Sequence, residues 1–190
     1  SMNYVLSDGS ANSGAVYSLG TTNSAERALG VIASGSNAAN FGVELTNNLS
    51  AAIASVNISF TGEFWRSSTT TQNVLTFGYI VGPSGSATYL LDPATTFASL
   101  DVIGPLPVAA NGPLDGNLPA NQVAVGGTLN VSVPVGQSLY LRWQDVNDVG
   151  NDAALAIDNF KLDAVTIPEP ATLALGGIAL IGIVATRRRG

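Results

Sequence analysis

The chain has 190 residues, of which 46 % are hydrophobic and 11 % charged, and it contains neither cysteine nor histidine. Without cysteine there is no disulfide, no thiolate metal site and no cysteine nucleophile; without histidine the commonest general base and the commonest transition-metal ligand are missing, and a Ser-His-Asp triad is impossible. Residues 1–164 carry four basic against twelve acidic side chains, a net charge of −8, which repels phosphate backbones, so nucleic acid is not an expected partner.

Residues 1–164 are enough chain for one domain with a sizeable core. Short apolar runs separated by Gly, Ser, Thr and Asn, with no capped helical period among them, predict an all-β domain. The opening residues Ser1-Met2-Asn3-Tyr4-Val5-Leu6 have neither a basic nor an apolar leader region, and we expect that a signal peptide has been removed before Ser1. Short strands are expected at 4–7 and 15–19, with Glu26-Arg27-Ala28-Leu29 turning into another at Val31-Ile32.

Alternation becomes clear from Phe41, where Phe41, Val43 and Leu45 share one face up to the turn Asn47-Asn48. Val56, Ile58, Phe60 and Phe64 alternate with polar residues in the most regular predicted strand, and Leu75, Phe77, Tyr79 and Val81 mark the next. After a turn at Gly82-Pro83-Ser84-Gly85 a further strand is expected over 87–91. Residues 92–127 read as loop with one strand at 97–102, a length that indicates either a functional flap or a crossing between sheets. Strands at 129–133, 139–143 and 153–162 close the domain, with Asp158-Asn159 interrupting the last as a bulge. Roughly eight to ten strands make an antiparallel β-sandwich of jelly-roll-like form.

Two polar constellations stand out in this domain. Asp145, Asn147, Asp148, Asn151 and Asp152, with Asp158 shortly after, are hard oxygen donors of the kind Ca²⁺ takes. Their spacing is not that of an EF-hand, because Val149 and Ala156 stand where a polar residue and a Glu belong. The alternative is a hairpin whose Asp and Asn side chains bond their own backbone. Glu63, Trp65 and Arg66 place an aromatic ring beside a carboxylate and a guanidinium, a set that can stack on and hydrogen-bond a sugar; the alternative is a strand end with a core Trp and a surface ion pair. A carboxylate pair for glycoside hydrolysis would have to come from Glu44, Glu63, Asp101 and the 145–158 cluster.

The tail is built differently. Pro168-Glu169-Pro170 resists regular structure, residues 171–186 carry no charge, and Arg187-Arg188-Arg189 stop the apolar run. A helix over 171–186 would span roughly 24 Å, somewhat less than the ~30 Å of a hydrocarbon core, and the arginines would lie on the cytoplasmic side. In the order Pro-Glu-Pro, short apolar helix, terminal arginines, residues 165–190 resemble the PEP-CTERM sorting signal recognised by envelope exosortases in many Gram-negative, exopolysaccharide-producing bacteria. The alternative is an ordinary C-terminal membrane anchor whose prolines start the helix. The segment LRWQDVNDVGNDAALAIDNF is also similar to the closing strands of β-sandwich domains that precede such tails.

The resemblance implies an exported domain (1–164) and a sorting signal (165–190), with a precursor anchored in the inner membrane, exosortase processing near Pro168-Glu169-Pro170, and delivery to the cell surface or extracellular matrix. The expected role there is structural or adhesive and non-enzymatic, as in a biofilm matrix. A carbohydrate-binding module acting on exopolysaccharide is the alternative, and a secreted glycan hydrolase the third reading. No cofactor is demanded; Ca²⁺ is the one candidate.

Overall fold

The computed structural model of the chain describes residues 4–35, 38–91 and 95–167. Pro168, Glu169, Pro170, the apolar run 171–186 and Arg187, Arg188 and Arg189 lie outside the described residues, and so does the transmembrane helix expected there. Among the described residues no helix is long and apolar enough to cross a membrane.

The described chain is mostly β, in two sheets. The strands are β1 (Val5–Ser7), β2 (Ala15–Leu19), β3 (Ala28–Ile32), β4 (Ala39–Thr46), β5 (Ile53–Arg66), β6 (Val74–Pro83), β7 (Thr95–Thr96), β8 (Val102–Ile103), β9 (Gln122–Val133), β10 (Gln137–Asp145) and β11 (Ala154–Thr166). One sheet has the order β1-β2-β3-β11-β5-β9; the other has β4-β10-β6-β7, with β8 also paired to β6. All pairings are antiparallel except β1 with β2. The long strands β3, β4, β5 and β6 alternate between the sheets, as do β9, β10 and β11.

Period-2 alternation explains why the sheets face each other. Val56, Ile58 and Phe60 of β5, Leu129 and Val133 of β9, and Leu155 and Ile157 of β11 meet Phe41 of β4, Leu75 and Phe77 of β6, and Leu139, Leu141 and Trp143 of β10. Trp143 is the hub of this core. Its ring stacks on Phe41 at 5.7 Å and meets Phe60, Phe77 and Phe160 edge-on at 5.4, 5.2 and 5.8 Å.

A second, smaller core lies on the other face of the first sheet, where Trp65 of β5 and Ala154 and Ala156 of β11 pack with Tyr17, Leu19, Ala28 and Ile32. The segment between β8 and β9 covers it. Leu114 N–H donates to Trp65 O at 2.8 Å, Pro113 bridges to Arg66, and Gly116 lies so close to the indole that a Cβ there would collide with the ring.

The structure departs from the sequence expectations at three places, each for a physical reason. Residues 87–91 do not form a strand: Thr88–Leu91 is a one-turn helix, α1. Tyr89 lies over Gly82 and Leu90 over Gly42, and the Tyr89 ring is 5.2 Å from that of Tyr140, so the segment sits on the sheet's face with no edge to join. Residues 97–102 do not form a continuous strand either; Ala98–Leu100 is a 3₁₀ turn that drops Leu100 into the core before β8 begins. The loop ends earlier than expected, because β9 starts at Gln122 and runs through Gly126-Gly127, where missing side chains erase the alternation.

The bulge at Asp158-Asn159 is present: the register of β11 on β5 shifts between Asp158 and Lys161, and Asn159 has φ +53. Val165 and Thr166, assigned from sequence to the tail, are the last residues of β11 and pair with Ser55 and Ile53.

Candidate functional site

One polar centre is built on the first sheet and another at the end of β10 in the second. The first arises where β5 changes the face it buries. Beyond Phe60 the buried side chains are Glu63 and Trp65, which point away from the main core under the cover of residues 104–121. Trp65 is wholly buried and Glu63 is 1 % exposed. Trp65 Nε1 donates to Glu63 Oε2 at 2.9 Å and Gln122 Nε2 to Glu63 Oε1 at 3.3 Å. Arg66 is buried too, and its Nη1 donates to Gly9 O at 3.0 Å and Ser10 O at 3.3 Å, tying the N-terminal segment to β5.

In this placement of Glu63, Trp65 and Arg66 the indole ring presents no face to solvent on which a saccharide could stack. The surface ion pair of the alternative reading is not formed, since Arg66 bonds carbonyls and Glu63 bonds Trp65 and Gln122.

Two further carboxylates join Glu63. Asp158 comes from β11 at its bulge and Glu26 from the loop before β3, and one oxygen from each of the three lies within 4.8 Å of the others. Burial pushes Glu63 up to about 7, and the charges of Glu26 and Asp158 add to this against the Trp65 and Gln122 hydrogen bonds. Glu26 is raised as well, by burial and then by Asp158. Such a group can share a proton or hold a cation. Of the three, Glu63 is shut off from solvent.

The second centre is at the end of β10. Asp145 is the last residue of that strand and wholly buried, and its Oδ2 accepts from Ala33 N–H at 2.9 Å. The following loop returns to β11 through Asp148 and Asp152, which are held by a side chain the sequence reading passed over. Asn73, completely buried just before β6, donates from Nδ2 to Asp148 Oδ2 at 2.6 Å and Asp152 Oδ1 at 3.4 Å, while its Oδ1 accepts from Ala153 N–H at 2.5 Å. Asp148 N–H closes the loop on Asp152 Oδ1 at 3.1 Å. Burial pushes Asp145 up to about 7, with Asp152 and Asp148 adding to it against the amides of Ala33 and Val146.

Of the six residues expected to form a cation site, the structure ties Asp148 and Asp152 together through Asn73, while Asp145 is bonded to Ala33 N–H. Asn147 and Asn151 have exposed side chains on the same loop, and Asn151 uses its backbone to pair with Thr69. Asp158 belongs to the other centre, with Glu26 and Glu63, because it lies beyond four buried residues of β11 on the opposite face from the core. Glu26, Asn73 and Gln122 had no local signal in the sequence; each is a single polar residue whose importance comes from a partner far along the chain.

Residues 166–189 match the family model of the PEP-CTERM protein-sorting motif, and a β-rich domain precedes the match. No curated protein sequence and no solved structure shows significant similarity to the chain.

Proposed function

We propose that the chain is an exported protein whose tail directs it to an exosortase, and whose jelly-roll-like β-sandwich serves a structural or adhesive role at the cell surface or in the extracellular matrix. The single observation that carries this reading is the sorting motif at 166–189, placed directly after a folded β domain. The motif implies a membrane enzyme as processing partner. Before processing, the apolar run 171–186 and the arginines hold the precursor in the inner membrane; afterwards the domain is released from it. The non-catalytic part of the reading draws on the histidine-free, cysteine-free sequence and on the inaccessibility of Glu63.

The test is the intact mass of the mature protein from its native host. Cleavage near Pro168-Glu169-Pro170 removes the apolar run and the arginines and supports sorting. A mature chain that still ends in Arg187-Arg188-Arg189-Gly190 overturns it in favour of a permanently anchored protein. Saturable binding of the host's exopolysaccharide would replace the structural role with the carbohydrate-binding alternative, and turnover of that glycan would replace it with a hydrolase.

A further inference from the structure

We propose that β9 is the surface through which two copies of this chain join, edge to edge, in one continuous antiparallel sheet. β9 is the last strand of the six-stranded sheet and is paired to β5 on one side only. In an antiparallel ladder every second residue turns its N–H and C=O away from the partner strand. Between Val123 and Ser132 no hydrogen bond from any described residue reaches those outward backbone groups. Such a row of donors and acceptors is matched by the backbone of another extended chain.

Sheet edges are ordinarily guarded by charged side chains, by proline, by a bulge or by being very short. The other edges of these two sheets show such devices: β1 has three residues, β7 and β8 have two each, and β4 carries Glu44. β9 lacks them. From Gln122 to Asn130 it contains no charge and no proline, and its register shift against β5 lies beyond, between Asn130 and Val133. Ala124, Gly126, Thr128 and Asn130 on its outer face are small or neutral and exposed, whereas Phe97 and Leu100 lie against Gly127 on the core side. Gly126-Gly127 sit in mid-strand, where missing side chains let a second backbone approach closely.

Charge selects the occupant. Residues 1–164 carry a net −8, so two copies repel wherever their acidic surfaces meet. Along β9, and along Ser55, Asn57, Ser59 and Thr61 on the outer face of β5 beside it, there is no charge to repel. A basic partner would be drawn to the acidic faces elsewhere and would gain nothing at this edge. Pairing β9 with its own copy is antiparallel and two-fold symmetric, and the side chains brought together near the axis are small and neutral. A two-fold contact of this kind uses up both edges, and β1 at the far end of the sheet is too short to continue it, so assembly stops at two copies. The pairing is a property of the folded domain and stands whether or not the tail is processed.

The experiment uses the full chain in mild detergent, with micelles in excess over protein, at about 0.15 M salt. Sedimentation equilibrium is expected to show monomer and dimer exchanging with a dissociation constant between about 1 µM and 1 mM, in keeping with an interface of small area. Ala124→Glu combined with Thr128→Glu sets like charges against each other across the edge and should raise that constant at least about tenfold, with the unfolding midpoint within about 3 °C of the parent. Lys161→Glu, exposed on the interior strand β11 and equal in its change of net charge, should leave the constant within about threefold. Amide hydrogen exchange of the parent at 123–130 should slow as its concentration rises, which reads the edge without any substitution. A parent chain that stays monomeric, with those amides unprotected at every concentration, overturns the proposal and leaves the edge to a strand of another protein. A dimer that survives the double substitution overturns it in favour of association through the tail or another face, and one lost equally in Lys161→Glu overturns it in favour of general charge repulsion.

Discussion

Trp65 donates its indole N–H to the Glu63 carboxylate at 2.9 Å, and both side chains are buried on the face of β5 that turns away from the main core. The pair is possible because residues two apart on a strand share a face, and it is dry because residues 104–121 close over it. Trp65→Phe removes the donor and leaves a partly filled space beside a buried carboxylate, and it should cost about 2–4 kcal/mol in denaturant unfolding. Gly116→Ala tests the cover from the other side: a Cβ there collides with the Trp65 ring, so a loss of about 1–3 kcal/mol is expected. Gly112→Ala, four residues away on the same segment, meets nothing within 4 Å and should change stability by no more than about 0.5 kcal/mol.

Stability should fall as the pH rises from about 4.5 to about 7. Glu63 has its carboxyl pushed up to about 7 by burial, from the usual 4.5. Between those values the folded chain keeps a proton that the unfolded chain releases, so folding is progressively disfavoured as the pH climbs, and the loss levels off above about 7. Below about 4.5 the carboxyl is protonated in both states and contributes no slope. Asp101, half-buried with its Oδ1 accepting from Phe77 N–H at 2.7 Å, is raised by desolvation and slopes the same way, as does Glu26. Glu63→Gln should therefore flatten the profile in part, measured as the unfolding midpoint in EGTA across pH 4 to 8.

Asn47 locks the start of β5 to the end of β9. Its side chain is buried, with Nδ2 donating to Val133 O at 2.9 Å and Ala51 O at 3.1 Å and Oδ1 accepting from Leu49 N–H at 3.0 Å. Asn47→Ala strands Val133 O away from water and should cost about 2–4 kcal/mol. Asn48→Ala, next to it and exposed, serves as the control and should be close to neutral. Denaturant midpoints of the two variants make the comparison.

Replacing Pro168 and Pro170 together by Ala should block processing if the tail acts as a sorting signal. The expected product is a membrane-bound chain of precursor mass in the native host, with the sandwich folded as before. A variant processed at the parent rate would show that the Pro-Glu-Pro joint is not what the enzyme reads.

The regular strands were legible because their alternation is local. Phe41 to Leu45, Val56 to Phe60 and Leu139 to Trp143 each display period 2 within a few residues, and the structure places each on the inner face of a sheet. The bulge at Asp158-Asn159 was legible for the same reason, as a break in an otherwise apolar run. Where side chains are missing the signal disappears, as at Gly126-Gly127 of β9. Where a segment packs on a face instead of an edge it misleads, as at Tyr89 and Leu90.

The sites were less legible than the strands. Trp65 and Arg66 looked available because a tryptophan and an arginine at a strand end are as often exposed as buried, and only the return of residues 104–121 across β5 decides the matter. Asp145, Asp148 and Asp152 were visible as a cluster, but what ties Asp148 to Asp152 is Asn73, more than seventy residues earlier.

By itself the amino-acid sequence determined the chemistry available to this protein and its route: no histidine, no cysteine, an acidic β domain, and a tail whose three parts are contiguous and therefore readable in order. Tertiary structure alone decided which polar groups are shut away and with whom. Glu63 lies with Glu26 and Asp158, and Asn73 ties Asp148 to Asp152. The physical reason is that alternation and composition are properties of neighbouring residues, whereas burial and charge coupling depend on which distant segments the two sheets bring together.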